Sequence, residues 1–316
     1  METIDILILG GGPSGLSTAL HLQQLAPHLT DRMLVLEKAR YPRPKLCAGG
    51  LVIDAEIILQ RLGLDVSEVP HVDASAAHLD FAGAGMRVGL PNTHAIRIIR
   101  RDEFDHWLAE KAKNRGIEIR EEITVKRVQP LEDCVIVETD HGTFRTQVVI
   151  GADGSNGITR RSVLPNEPVH TARVLEVLTP EPGVIAGEAK QSPGKLEIAS
   201  GANVPRHDSH KMEQAYFDFF PVPAGIAGYT WDFPTQVKGQ PMRCWGIYDT
   251  NLLSEMERPA LKESLAEEMQ RHGFDLDQVE LKGHPIRWFS PFTKFSAPRV
   301  LLVGDAAGAD PIFGEG

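Results

Sequence analysis

An apolar run ending at Leu9 breaks into Gly10-x-Gly12-x-x-Gly15 and then into apolar residues at helical spacing, Leu16, Ala19, Leu20 and Leu22. That order permits little besides a strand, a tight turn and a helix. Gly10 serves the turn, Gly12 lets backbone amides approach a pyrophosphate, and Gly15 lets helix and strand pack closely; Pro13 and Ser14 complete the loop. Met33 to Leu36 reads as the next strand and ends at Glu37, 22 residues beyond Gly15. Glu37, followed by Lys38, stands where an acid accepts hydrogen bonds from an adenosine ribose. Two strands joined by a crossover helix make a right-handed βαβ unit, so the sheet here is parallel. The motif points to a dinucleotide without separating NAD from FAD.

Further along, helices are expected from Asp54 to Leu62, from Asp102 to Asn114 with Asp102 as N-cap, and from Pro259 to His272 with the proline near the first turn. Residues 72–99 alternate apolar and polar like antiparallel strands. Residues 124–128, 135–139 and 144–150 read as strands, with a hairpin turn at 140–142. A strand-and-turn region follows from 169 to 248, and residues 300–303 form a last strand. A chain of 316 residues holds about two domains. The pattern predicts one α/β domain built from 1–70, 100–168 and 285–316, with a mostly antiparallel domain from 71–99 and 169–284 inserted.

Composition narrows the partners. The 43 acids exceed the 33 bases, a net charge of −10, which argues against a nucleic-acid binder. Cys47, Cys134 and Cys244 are too few and too scattered for a disulfide framework, so a reducing compartment, the cytoplasm, is expected. The start carries no basic, apolar leader, and no apolar run approaches the roughly 18 residues of a membrane span.

Two more motifs follow the first in order. VVIGADGSNGITRR puts Gly151, Asp153 and Gly154 at one strand end, and RVLLVGDAAGADPIFGEG puts Gly304, Asp305, Ala306, Ala307 and Gly308 at another. Singly, Asp153-Gly154 also fits a plain turn and Asp305 a helix cap. Together the three motifs resemble those of the FAD-dependent oxidoreductases of the para-hydroxybenzoate hydroxylase type, over nearly the whole chain. The resemblance implies an FAD-binding Rossmann-like (GR2-type) α/β domain with a mostly antiparallel β substrate domain inserted. It places Asp153 and Gly154 beside the pyrophosphate, Gly304 and Asp305 at the ribityl chain, and Arg101 of RRDEFDHWL near the cofactor. It also places Pro311 and the Gly314-Glu315-Gly316 turn beside the isoalloxazine, where the GDAAG turn would stabilise negative charge on the reduced ring.

GYTWDFP, with Tyr229, Trp231, Phe233 and Pro234, resembles the Y-x-W-x-F-P signature of the geranylgeranyl reductases, which saturate polyprenyl double bonds. The same residues also fit a core strand with alternating aromatics. PRPKLCAGGL, with Lys45, Cys47, Ala48, Gly49 and Gly50, is similar to that family's cysteine loop beside the flavin, although a free cysteine is often simply a buried small hydrophobe. Where the family carries proline three residues before the signature tyrosine, this chain carries Ile226. The likeness implies an FAD-dependent reduction of C=C bonds in a geranylgeranyl lipid or chlorophyll precursor. Such chemistry needs the chain held close to the ring, a hydride from the flavin and a proton for the other carbon. Cys47, Tyr229 and Trp231 are the candidate catalytic residues, with Tyr229, Cys47 or ordered water as proton donor. Phe219, Phe220, Tyr229, Trp231 and Phe233 are the expected apolar wall for the isoprenoid substrate. NAD(P)H or another reductant, an electron-donor protein among them, would reduce the flavin, and a lipid substrate implies peripheral contact with a membrane surface.

Two other readings stand beside this one. An aromatic monooxygenase or halogenase uses the same scaffold, although YTWDFP is only distantly similar to the halogenase WxWxIP box. The resembling family continues past the turn that ends this chain, so a shortened flavoprotein with weakened FAD retention and no activity of its own is also expected. His207 and His210 lack a third ligand and read as a solvated loop, so no metal is expected. Arg160 and Arg161 fit either a phosphate contact or the cover of a helix end.

Overall fold

The structure, a computed structural model, describes residues 1–181, 214–253, 257 and 259–311. The first strand, Glu2–Leu9, pairs in parallel with Met33–Leu36 on one side and Gly142–Gly151 on the other. Glu118–Arg120 extends this sheet beyond Met33–Leu36, and Val300–Leu302 extends it beyond Gly142–Gly151, both in parallel. Val125–Pro130 and Val135–Thr139 add an antiparallel meander on Gly142–Gly151. Met33–Leu36 and the last residues of Glu2–Leu9 are apolar on both sides because both faces are covered there. Ile8, Met33 and Val35 pack under the helices Pro13–Leu25 and Arg101–Lys113 through Leu16, Leu20, Phe104 and Leu108. Leu7, Leu9, Leu34 and Leu36 point the other way, toward Val128, Val135 and Val137 of the meander. Each side chain buried this way contributes roughly 1.5–3 kcal/mol.

A second, seven-stranded sheet runs in the order Lys282–Arg287, Thr171–Pro180, Gln240–Asp249, Gly228–Val237, Gln214–Asp218, Ala76–Phe81, Ala84–Val88. It is antiparallel except where Gln214–Asp218 meets Ala76–Phe81 in parallel, two segments far apart in the chain. One face is covered by the helix Leu261–Arg271, whose Leu265 and Met269 meet Val177, Trp245 and Ile247. The opposite face carries Tyr229, Trp231, Phe233, Cys244 and Tyr248. That face meets Ile96 and Ile98 of a small three-stranded sheet, Gly50–Leu51, Ile96–Ile99 and His71–Ala74, together with Ala48 of the cysteine loop. The fold is the expected Rossmann-like α/β sheet joined to a mostly antiparallel one, and the space between the sheets is where the motifs converge.

Three local expectations are corrected. The helix expected to start at Asp102 has Arg100 as its N-cap, in extended conformation and without a side-chain cap bond. Strand Ile96–Ile99 runs straight into it, and Asp102 falls inside the first turn, where an acid still favours the helix dipole. The helix expected from Pro259 to His272 runs from Leu261 to Arg271 behind an Ala260 cap, with Pro259 just ahead of its first turn. The helix expected from Asp54 begins at Ile53 and ends at Arg61.

Candidate functional site

The glycine turn has the shape its residues require. Gly10 has φ +112°, and its N–H donates to Leu36 O at 2.8 Å; a Cβ there would strike the Ala152 carbonyl. A Cβ on Gly15 would strike Gly10 O, so strand and helix touch through bare backbone. Pro13 opens the helix behind a Gly12 cap that makes no side-chain hydrogen bond. The first turn therefore presents backbone amides and the positive end of the helix to whatever lies in front of it.

Two guanidiniums stand in front of Gly12. The position of its missing Cβ is 3.7 Å from Arg43 Nη2 and 4.0 Å from Arg101 Nη2. Both arginines share Asp105, a fully buried carboxylate. Arg101 Nε donates to Asp105 Oδ1 at 2.7 Å and its Nη2 to Oδ2 at 3.0 Å, while Arg43 Nη2 lies 3.2 Å from Oδ2. Burial works against the Arg101 charge, but Asp105 outweighs it and holds the guanidinium above its ordinary value. Glu37, 4% exposed, accepts from Gly11 N and Ala39 N, both at 2.9 Å, and lies 3.3 Å from Arg43. Tyr41 closes the loop by donating to Gly11 O, and burial pushes its phenol well up. Lys38 is exposed beside this cluster.

The second and third motifs meet across the strand ends. Asp153 Oδ2 accepts from Thr159 N and Oγ1, both at 2.9 Å, so its carboxylate holds the start of the Ile158–Val163 helix. Its Oδ1 has no hydrogen-bond partner among the described residues. Gly154 has φ +76° beside it. Asp305 Oδ2 accepts from Ser155 Oγ at 3.0 Å, and Gly304, with φ +56°, sits against Ser14. Arg160 Nη1 donates to Lys294 O and Ala307 O, and Arg161 Nη2 to Asn156 O. Pro311 is exposed. Gly314, Glu315, Gly316, His207 and His210 lie outside the described residues.

Around the cysteine loop the polar groups are half-buried and basic. Gly49, at φ +84°, accepts from Ile99 N at 2.9 Å, and its own N–H donates to Cys47 Sγ at 3.4 Å. The Cys47 thiol adjoins Arg101. Lys45 Nζ lies 2.7 Å from His284 Nε2. Two cations do not share such a contact, so a protonated lysine donates to a neutral imidazole. Burial, then Lys45, push His284 down to about 4. Burial also lowers Lys45, against the pull of Asp305.

The signature aromatics share one face because strand residues alternate. Tyr229, Trp231 and Phe233 are each 3–4% exposed. Phe217 packs edge-on against Tyr229 at 5.4 Å and Phe233 at 5.1 Å between ring centroids, and Phe219 lies 5.6 Å from Tyr229. Phe233 reaches the cysteine loop at Gly50. Phe220 is a correction: it stacks under Arg271 on the helix-covered side, 4.0 Å from guanidinium carbon to ring centroid, and is no part of this wall.

Sequence reasoning missed Arg43, Tyr41, Asp105 and His284. Asp105 was within reach, because Arg101 and Asp105 stand four apart on one helix, the spacing of an ion pair. Tyr41 and His284 come to the site through loop closure and sheet pairing over long separations, which leave no local signal.

The residues present fit a dinucleotide. The turn offers backbone amides, Arg43 and Arg101 in front of it offer charge for a pyrophosphate, and Glu37 offers a carboxylate to a ribose. The family model described as FAD binding domain matches residues 3–212. An uncharacterized protein of Methanosarcina barkeri is 27% identical over 315 residues, covering 100% of this chain and 70% of that protein. A rifampicin monooxygenase of Streptomyces venezuelae is 26% identical over 318 residues, covering 97% of this chain and 59% of that enzyme's length. Among solved structures, a geranylgeranyl bacteriochlorophyll reductase-like protein of Thermoplasma acidophilum superposes with a TM-score of 0.74 at 20% identity, over 100% of this chain and 74% of that one.

Proposed function

Because this chain belongs to the FAD binding domain family, we propose that it is an FAD-dependent oxidoreductase that reduces C=C bonds of a geranylgeranyl or other polyprenyl chain. FAD is the cofactor that family membership assigns. When bound it supplies two-electron hydride chemistry. Gly10, Gly12, Gly15, Arg43, Arg101 and Glu37 would hold its nucleotide half, and Gly304 and Asp305 the chain leading to the ring.

One observation supports the prenyl substrate above others. The face of Tyr229, Trp231 and Phe233 continues along the sheet through Phe217 and Leu79 to Met86, which is 62% exposed at the outer strand. A surface-to-interior apolar row suits a long hydrocarbon, which needs contact along its length and offers nothing to hydrogen-bond. Met86, Val88, Phe81 and Leu90 at its outer end are all exposed, and we place the contact with a membrane surface there. No described helix is long and apolar enough to cross a membrane. NAD(P)H or a protein carrier is the proposed reductant, and the cytoplasm the proposed location.

The test is direct. The reduced, FAD-loaded chain incubated with a geranylgeranyl lipid should raise the lipid's mass in steps of about two units, one per hydride and proton added. No mass gain with any prenyl lipid sinks the proposal. The likeness to a rifampicin monooxygenase favours a second reading, oxygen insertion into an aromatic substrate. That enzyme would consume oxygen only when its substrate is added, whereas the reductase works without air.

A further inference from the structure

The register of the second sheet brings one acid onto the aromatic face. Glu176 pairs with Gly246, and Gly246 with Trp231, so the three side-chain positions lie in one row across the sheet. Gly246 has no side chain, and a Cβ there would strike the Trp231 indole. The ring therefore lies over the glycine, toward Glu176. Rows on either side are Val174, Tyr248 and Tyr229, and Leu178, Cys244 and Phe233. Glu176 is the carboxylate within that apolar block. It is 4% exposed, and its Oε2 has no hydrogen-bond partner among the described residues.

Such an arrangement is costly for an anion with a structural role alone, because a buried carboxylate normally has its oxygens satisfied. The groups facing it are Arg100 from the cap of the Arg101–Lys113 helix, Lys282 from the edge strand, and the Cys244 thiol beside it. Burial outweighs the two cations and pushes Glu176 up to about 7, so its neutral form is available near neutral pH. Cys244, fully buried, is itself pushed up by burial and by Glu176, so it stays a thiol.

We propose that Glu176 is the proton donor to the substrate double bond. This rests on the polyprenyl reading above. The carboxyl O–H bond breaks and a C–H bond forms at one alkene carbon, while the other carbon receives the hydride furnished by reduced FAD. The alkene is reduced by the two electrons that bound, reduced FAD would supply, and Glu176 becomes a carboxylate that regains its proton from water.

The experiment compares the FAD-loaded chain with Glu176→Gln. In the parent, the rate of prenyl reduction should fall as pH rises through about 7. The variant should lose on the order of 100-fold or more in rate, the usual share of a general acid, and lose that limb of the profile. Infrared spectra without substrate should show a carboxylic-acid carbonyl band in the parent that vanishes as pH rises through about 7 and is missing from the variant. An unchanged flavin spectrum in Glu176→Gln excludes a lost cofactor as the cause. A variant with the parent's rate and pH profile, or a parent without the band, overturns the proposal and leaves the polyprenyl reading standing. A parent that reduces no prenyl lipid removes both together. Should Glu176→Gln not fold, Glu176→Asp decides: a slower rate that still titrates supports the acid, and a pH-independent rate overturns it.

Discussion

In front of the glycine turn, Asp105 lies between Arg43 and Arg101, and Glu37 holds two backbone amides while facing Arg43. On the aromatic face of the second sheet, Glu176 lies in the rows of Trp231, Cys244 and Tyr248, and its Oε2 has no partner among the described residues. The first region has its charges arranged in advance for an anionic ligand that hydrogen bonds can fix. The second is largely apolar, with Glu176 inside it and Lys282 and His284 on the edge strand beside it, and suits a ligand that offers mostly surface. Rigid backbone is the means in the first case and movable side chains in the second. That difference can be broken by substitution.

The largest effect is expected at Gly10. Alanine there must take φ near +112° and meet the Ala152 carbonyl, neither of which can yield. Gly10→Ala should cost about 5 kcal/mol, combining backbone strain with overpacking, and should abolish the flavin spectrum retained through a desalting column. In the second sheet, the atoms nearest a Cβ on Gly246 belong to the Trp231 ring, a side chain and not backbone. Gly246→Ala should cost about 2 kcal/mol and leave FAD in place. Urea denaturation of the two variants checks the contrast, and equal losses would end it.

Legibility in the sequence followed the same divide. Gly10, Gly12, Gly15 and Glu37 were readable because a tight turn demands glycine at fixed spacing and the acid follows one βαβ unit later. Asp305 and Gly304 were readable as a strand-end turn. What Asp153 binds was not, since its partner Thr159 is chosen by a local cap that competes with any ligand. In the second sheet the alternation Tyr229, Trp231, Phe233 gave the face but not what it meets. The contact with Gly50 and Ile96 depends on how two sheets pack. Glu176 had a weak signal, an acid in the alternating row Val174, Glu176, Leu178, where the pattern expects an apolar residue. Its loneliness in the core could only be seen after strand pairing.

A smaller effect separates ligand from scaffold in the first region. Asp105→Asn leaves Arg101 without its buried counter-charge and Arg43 with Glu37 alone, and should cost about 4 kcal/mol in the FAD-free chain. With saturating FAD the pyrophosphate supplies the missing negative charge, so the thermal shift on adding FAD should be larger in the variant than in the parent. An equal shift in both would mean that the two arginines serve Asp105 alone.

A last comparison runs through pH, between two groups on neighbouring strands of the second sheet. His284, neutral down to about 4 in the fold against 6.5 in the unfolded chain, takes up its proton late. Between those values only the unfolded chain is protonated, so stability falls as pH is lowered. Glu176 stays protonated up to about 7 in the fold against 4.5 when unfolded. Between those values only the unfolded chain has released its proton, so stability falls as pH is raised, by on the order of 3 kcal/mol across the window. The His284 contribution is smaller, since part of its site is open to water that screens it. The two slopes oppose each other where the windows overlap, and the parent's melting temperature should be nearly flat there. Glu176→Gln should then gain stability toward pH 7 relative to the parent, and His284→Asn should gain it toward pH 4. Melting curves of the FAD-free proteins across that range test both. Two variants that track the parent at every pH would show that neither group differs between the folded and unfolded chain.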